Sequence, residues 1–108
     1  MSYTLTYEET QKTIKSPTGA DIRAALDTRV ADDNGPVFHI SADGTDELLQ
    51  VVATDKNHFN FCYFPSAKEM WSSKREDFGH DETLKIVLAF WNGLPDWKKS
   101  VEWTQQKL

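Results

Sequence analysis

The residue types able to do covalent or metal chemistry are few in this chain, and their spacing limits what they could do. Cys62 is the only cysteine. A cysteine nucleophile works as a thiolate and needs a base and an orienting group beside it. Cys62 instead sits within Phe59-Asn60-Phe61-Cys62-Tyr63-Phe64, a run too apolar to favour a thiolate, so it reads as a packed strand residue. His39, His58 and His80 share none of the short spacings that build a metal site, and they read as surface or turn histidines that only the fold could bring together. Ser66, Ser72 and Ser73 have no Gly-x-Ser-x-Gly context. The glycines at 19, 35, 44 and 93 are isolated turn or cap residues, not a phosphate-binding loop. The carboxylate pairs Asp32/Asp33 and Glu76/Asp77 lie in polar stretches, whereas acid–base work needs a shifted pKa in a cleft. The expectation is a protein that is not an enzyme and that holds no cofactor and no metal.

Nucleic-acid binding would need aromatics interleaved with basic residues. The candidates are Lys74-Arg75 near Trp71 and Lys98-Lys99 beside Trp97, and Glu76, Asp77 and Asp96 offset them. The net charge is −5, and it is unevenly spread. Residues 1–54 hold four basic and nine acidic side chains, while residues 55–108 hold eight of each. Between 21 and 47, Asp21, Asp27, Asp32, Asp33, Asp43, Asp46 and Glu47 face only Arg23 and Arg29. Such a field repels phosphate backbones and anionic membranes and attracts basic protein surfaces. The plainer explanation of the same acidity is solubility.

The elements that would position these residues can be read from periodicity. The length of 108 residues suits one domain, and 39% apolar residues, with 12% aromatic, suffice for a core. Tyr3, Leu5 and Tyr7 alternate with Thr4 and Thr6, which predicts a strand over 3–9. Ile22, Ala25, Leu26 and Val30 fall at helical spacing and predict a helix over about 18–30, capped by Ser16 or by Thr18 with Asp21. Strands are expected at 37–42, 46–54 and 59–63, joined at Asp43-Gly44 and at 55–58 into an antiparallel meander. Residues 65–79 read as a long loop, with at most a short strand. Leu84, Val87, Leu88 and Trp91 predict a helix over 81–91, stopped by Gly93 and Pro95. Val101-Glu102-Trp103 reads as a last strand. Trp91 and Trp103 are assigned to the core, while Trp71 and Trp97 are left open between core and surface. The fold class that follows is α+β: an antiparallel sheet of about four to six strands with two helices packed on one face. The N-terminus has neither the basic nor the apolar stretch of a signal peptide, and no run is long enough to span a bilayer, so a cytoplasmic location is expected.

Residues 37–103 resemble the first-numbered family of immunity proteins in polymorphic bacterial toxin–immunity systems. The resemblance is carried by Phe59-Asn60-Phe61-Cys62-Tyr63-Phe64, Asp81-Glu82-Thr83-Leu84, Phe90-Trp91-Asn92-Gly93-Leu94-Pro95 and Val101-Glu102-Trp103. Residues 1–36 carry no matching motif. The resemblance implies an antitoxin-like protein active in bacterial competition. It would bind a cognate secreted toxin domain, often a nuclease or deaminase, and block its active site. An acidic inhibitor surface facing a basic cleft would steer that association. The family fixes no binding residues that can be transferred by position. From charge, the first choice is the acidic edge of Asp43, Asp46 and Glu47, with Asp32 and Asp33 nearby. The second choice is the 65–79 stretch, with Met70 and Trp71 as anchors and Lys74, Arg75, Glu76 and Asp77 as a polar rim. Two other classes stay open. One is a general protein-interaction or regulatory module. The other is a small enzyme or small-molecule binder, which would need a deep polar pocket lined by His39, His58 or His80. The sequence leaves the oligomeric state open.

Overall fold

The computed structural model describes residues 2–28 and 35–107. Among these residues the chain forms strands β1 (Tyr3–Tyr7) and β2 (Thr13–Lys15), helix α1 (Gly19–Leu26), and strands β3 (Gly35–Ala42), β4 (Leu48–Ala53), β5 (Phe59–Ser66) and β6 (Glu69–Ser73). Helix α2 (His80–Trp91), the short helix α3 (Asp96–Lys99) and strand β7 (Trp103–Gln106) follow. The strands make one antiparallel sheet in the order β2-β1-β3-β4-β5-β6-β7. The class is therefore α+β with an antiparallel sheet, as the periodicity predicts. The sheet has seven strands among the described residues, not four to six, and there are three helices instead of two.

The additional strands have physical causes. β2 is only three residues long, and Gln11 and Ser16 flank it at left-handed φ of 60° and 52°. β6 is the short strand that the reading of 65–79 allowed for, and it is built into the sheet between β5 and β7. Cys62 pairs with Ser72 and Tyr63 with Trp71, and the register then shifts by one residue before Ser66 pairs with Glu69. Pro65 lies in that bulge, where its missing N–H costs the ladder nothing.

Local signals place the remaining elements. Thr18 caps α1: its hydroxyl accepts from the Asp21 N–H at 3.2 Å, and the Asp21 carboxylate accepts from the Thr18 N–H at 2.8 Å. This reciprocal pair selects Thr18 over Ser16 as the cap. Gly44, at φ 78°, turns β3 into β4. α2 ends where Gly93, at φ 71°, lets the Leu94 N–H donate back to the Ala89 carbonyl.

The registers align Leu5, Ile40, Leu49 and Tyr63 on one side of the sheet, with Phe38, Val51 and Phe61 in the neighbouring row. These side chains form one buried cluster with Ile22, Ala25 and Leu26 of α1 and Leu84, Ile86, Val87 and Phe90 of α2. The Phe90 ring meets Tyr3 and Tyr63 edge-on, with centroids 5.6 and 6.5 Å away. The opposite side carries Thr6, His39, Gln50, Cys62, Ser72 and Thr104 in one continuous cross-strand row.

Candidate functional site

The acidic turn between β3 and β4 contains Asp43, Asp46 and Glu47. Asp43 and Asp46 are exposed. The turn is held in shape from inside, because the Thr45 hydroxyl donates to the Ala42 carbonyl and accepts from the Glu47 N–H. The Thr4 hydroxyl donates to the Asp43 carboxylate at 2.7 Å. Glu47 is half-buried and turned toward the core side, where it accepts from the Tyr63 hydroxyl at 2.5 Å. Burial, and secondly this carboxylate, push the Tyr63 phenol well above its ordinary value. Asp32 and Asp33 lie outside the described residues.

Tyr63 connects the turn to a feature that sequence reasoning missed. Tyr63, Pro65, Trp71, Trp103 and Lys98 line an open, largely apolar groove of about 300 Å³. Tyr63 and Trp71 face each other across β5 and β6. Trp97 packs beneath, its ring centroid 4.8 Å from Tyr63 and 6.0 Å from Trp103. The Lys98 ammonium sits 5.3 Å from the Tyr63 ring centroid and 5.6 Å from that of Trp97, a cation–π arrangement that leaves an ammonium on an apolar surface. The Trp103 indole N–H donates to the Lys98 carbonyl at 3.2 Å, which ties β7 to α3. Trp97, left open by sequence, is a buried core ring. Trp71, Trp91 and Trp103 are partly buried against the core.

The other anticipated binding stretch is distributed differently. Met70 and Trp71 are neighbours on β6 and so lie on opposite sides of the sheet. Trp71 joins the groove and Met70 does not. Arg75 is engaged within the chain: its guanidinium donates to both Glu82 carboxylate oxygens at 2.8 Å and to Asp77 at 2.6 Å, and it stacks 4.5 Å from the Phe78 ring. Arg75 first, and the Gly79 N–H second, hold Glu82 below its ordinary value, and Arg75 does the same to Asp77. The exposed Glu76 side chain is next to them, and its backbone carbonyl accepts from Thr54. Arg75 and Asp77 thus clamp the start of α2, and Lys74, Arg75, Glu76 and Asp77 all stay exposed.

The three histidines separate, each beside its own carboxylate: His39 with Glu8, His58 with Asp55 and His80 with Asp27. Among the described residues, no group of three or more His, Cys, Asp or Glu side chains is placed to hold a metal ion. Burial raises the Cys62 thiol above its ordinary value, which favours the protonated, unreactive form. No helix among the described residues is long and apolar enough to cross a membrane. Comparison with protein-family models, with curated proteins and with solved structures finds no match.

The arrangement thus offers an exposed carboxylate pair, a half-buried carboxylate on a tyrosine, and an aromatic groove with a cation at its mouth.

Proposed function

We propose that the chain is a binding protein of the immunity type, which neutralises a secreted bacterial toxin domain by covering its active site. Helices α1 and α2 cover one face of the sheet and leave the β3–β4 turn free to reach a partner. Asp43 and Asp46 meet basic residues of the toxin's cleft, standing in for the phosphates of a nucleic-acid substrate. Met70, Trp71, Arg75, Glu76 and Asp77 are secondary: Trp71 supplies aromatic area through the groove, and Arg75 and Asp77 hold the α2 start in place. Asp32 and Asp33 add to the acidic field. The protein works in the cytoplasm of the toxin-producing cell.

The observation that carries this reading is the exposure of Asp43 and Asp46 on the β3–β4 turn, whose Glu47 accepts from the hydroxyl of Tyr63 in the groove. Acidic groups accelerate encounter with a basic cleft, and clustered Trp and Tyr are the residue types that anchor interfaces. The test is co-expression with the toxic domain encoded by the adjacent gene. Growth is expected to be rescued by the wild-type chain and lost with Asp43→Lys/Asp46→Lys. A neighbour that is not toxic, or a rescue indifferent to the charge reversal, overturns the proposal.

A further inference from the structure

The outer edge of β7 is an open template for another strand. Among the described residues β7 pairs only with β6. The direction of its backbone groups follows from one bond beyond the strand: the Lys74 N–H donates to the Glu102 carbonyl at 2.9 Å. Lys74 opposite Glu102 continues the β6–β7 register of Ser72 with Thr104 and Met70 with Gln106. In an antiparallel ladder, alternate residues turn both backbone groups to the same neighbour. Glu102, Thr104 and Gln106 therefore turn toward β6, and the N–H and C=O of Trp103 and Gln105 turn outward.

Edges of this kind are ordinarily blunted by lysine, proline or a bulge. The far edge of the sheet follows that pattern, because β2 is short, ends in Lys15 and follows Lys12. β7 has neither charge nor proline within Trp103-Thr104-Gln105-Gln106, with Glu102 and Lys107 only flanking it. It also borders the groove, since Trp103 lines it and Gln105 pairs with Trp71, another of its walls.

We propose that the β7 edge binds an extended segment of a partner protein by strand addition, the segment carrying an apolar and an acidic side chain at alternate positions. Its backbone pairs with Trp103 and Gln105. The side chains that fall on the groove side of the added strand stand beside Trp103 and Gln105. The apolar one covers the Trp103 and Trp71 rings. The carboxylate meets the Lys98 ammonium, with Lys99 adjacent to it in sequence. Backbone pairing supplies affinity and the alternate side chains supply selectivity. This inference does not require the toxin reading, and its variants leave Asp43 and Asp46 untouched.

The test is selection of a phage-displayed random nonapeptide library on the whole chain, followed by titration of the enriched peptides by calorimetry. Enrichment of sequences with an apolar and an acidic residue two positions apart, on one face of the extended peptide, is expected. Gln105→Pro removes an outward N–H without touching the β6 ladder, and it should weaken those peptides about tenfold or more through lost backbone bonds. Lys98→Glu should shift the selected sequences from acidic to basic, with circular dichroism verifying that both variants stay folded. No enrichment, or peptides whose affinity both folded variants preserve, overturns the proposal. Concentration-dependent dimerisation abolished by Gln105→Pro overturns it as well, because the edge would then belong to a second copy of the chain.

Discussion

One hydroxyl, that of Tyr63, joins the acidic turn to the aromatic groove. Tyr63→Phe removes the donor to Glu47 and leaves a half-buried carboxylate without that partner. Urea unfolding near neutral pH should show a loss of about 1–2 kcal/mol. The sign of the pH effect follows from the raised phenol. Its contribution is fully present below the ordinary value of 10.0 and is lost as pH rises above it. Tyr63→Phe should therefore differ less from wild type in strong alkali than near neutrality. Arg75 governs the acid side. Glu82 and Asp77 are held below their ordinary values of 4.5 and 3.8. Their contribution is present above those values and is lost as pH falls through the lowered ones. The stability advantage of wild type over Arg75→Gln should shrink as pH falls from about 6 to about 3, as followed by thermal melts. An advantage that grows on acidification would show that the clamp does not act through these carboxylates.

At the scale of elements, β6 is the piece on which the site depends. The Ser73 hydroxyl is buried, accepts from the Phe61 N–H at 3.0 Å and donates to the Arg75 carbonyl at 2.9 Å. It stands in for a ladder bond and pins the segment leading to α2. Ser73→Ala should cost about 1–3 kcal/mol by leaving a buried N–H unpaired, with the loss read from denaturant midpoints at constant m-value. Elements with local chemistry were legible in the sequence: Thr18 with Asp21 at the start of α1, Asp43-Gly44 at the hairpin, and Gly93 after α2 are each explained by their own neighbours. β6 was only allowed for and not placed, because only Met70 and Trp71 are apolar, followed by two serines whose pairing depends on β5 and β7. β2 was hidden because three residues cannot display a period. The groove was illegible for the same kind of reason. Tyr63, Trp71 and Trp103 belong to three strands, and only the β5–β6–β7 order brings them together. The acidic turn could be read as a local feature, but the turning of Glu47 toward Tyr63 could not. The 65–79 stretch reads as a rim because Lys74, Arg75, Glu76 and Asp77 are adjacent in sequence. Pairing of Arg75 with Glu82 is a contact with the next helix.

At the scale of the whole molecule, the charge is asymmetric in a way that bears on binding. The net charge of −5 arises in the first half of the sequence, while Lys98 lines the groove. A partner that approaches the acidic turn should associate quickly at low salt and more slowly as salt screens the field. A segment seated at β7 should depend on shape and backbone pairing and respond less to salt. The measurement that bears most directly on the central claim is calorimetric titration of the chain with the product of the adjacent gene, the proposed toxin, at low and at physiological salt, for wild type and Asp43→Lys/Asp46→Lys. Binding that weakens by about tenfold or more on charge reversal, with a salt dependence that the variant loses, is the expected result. Absence of binding, or equal affinity and salt dependence for both proteins, would contradict it.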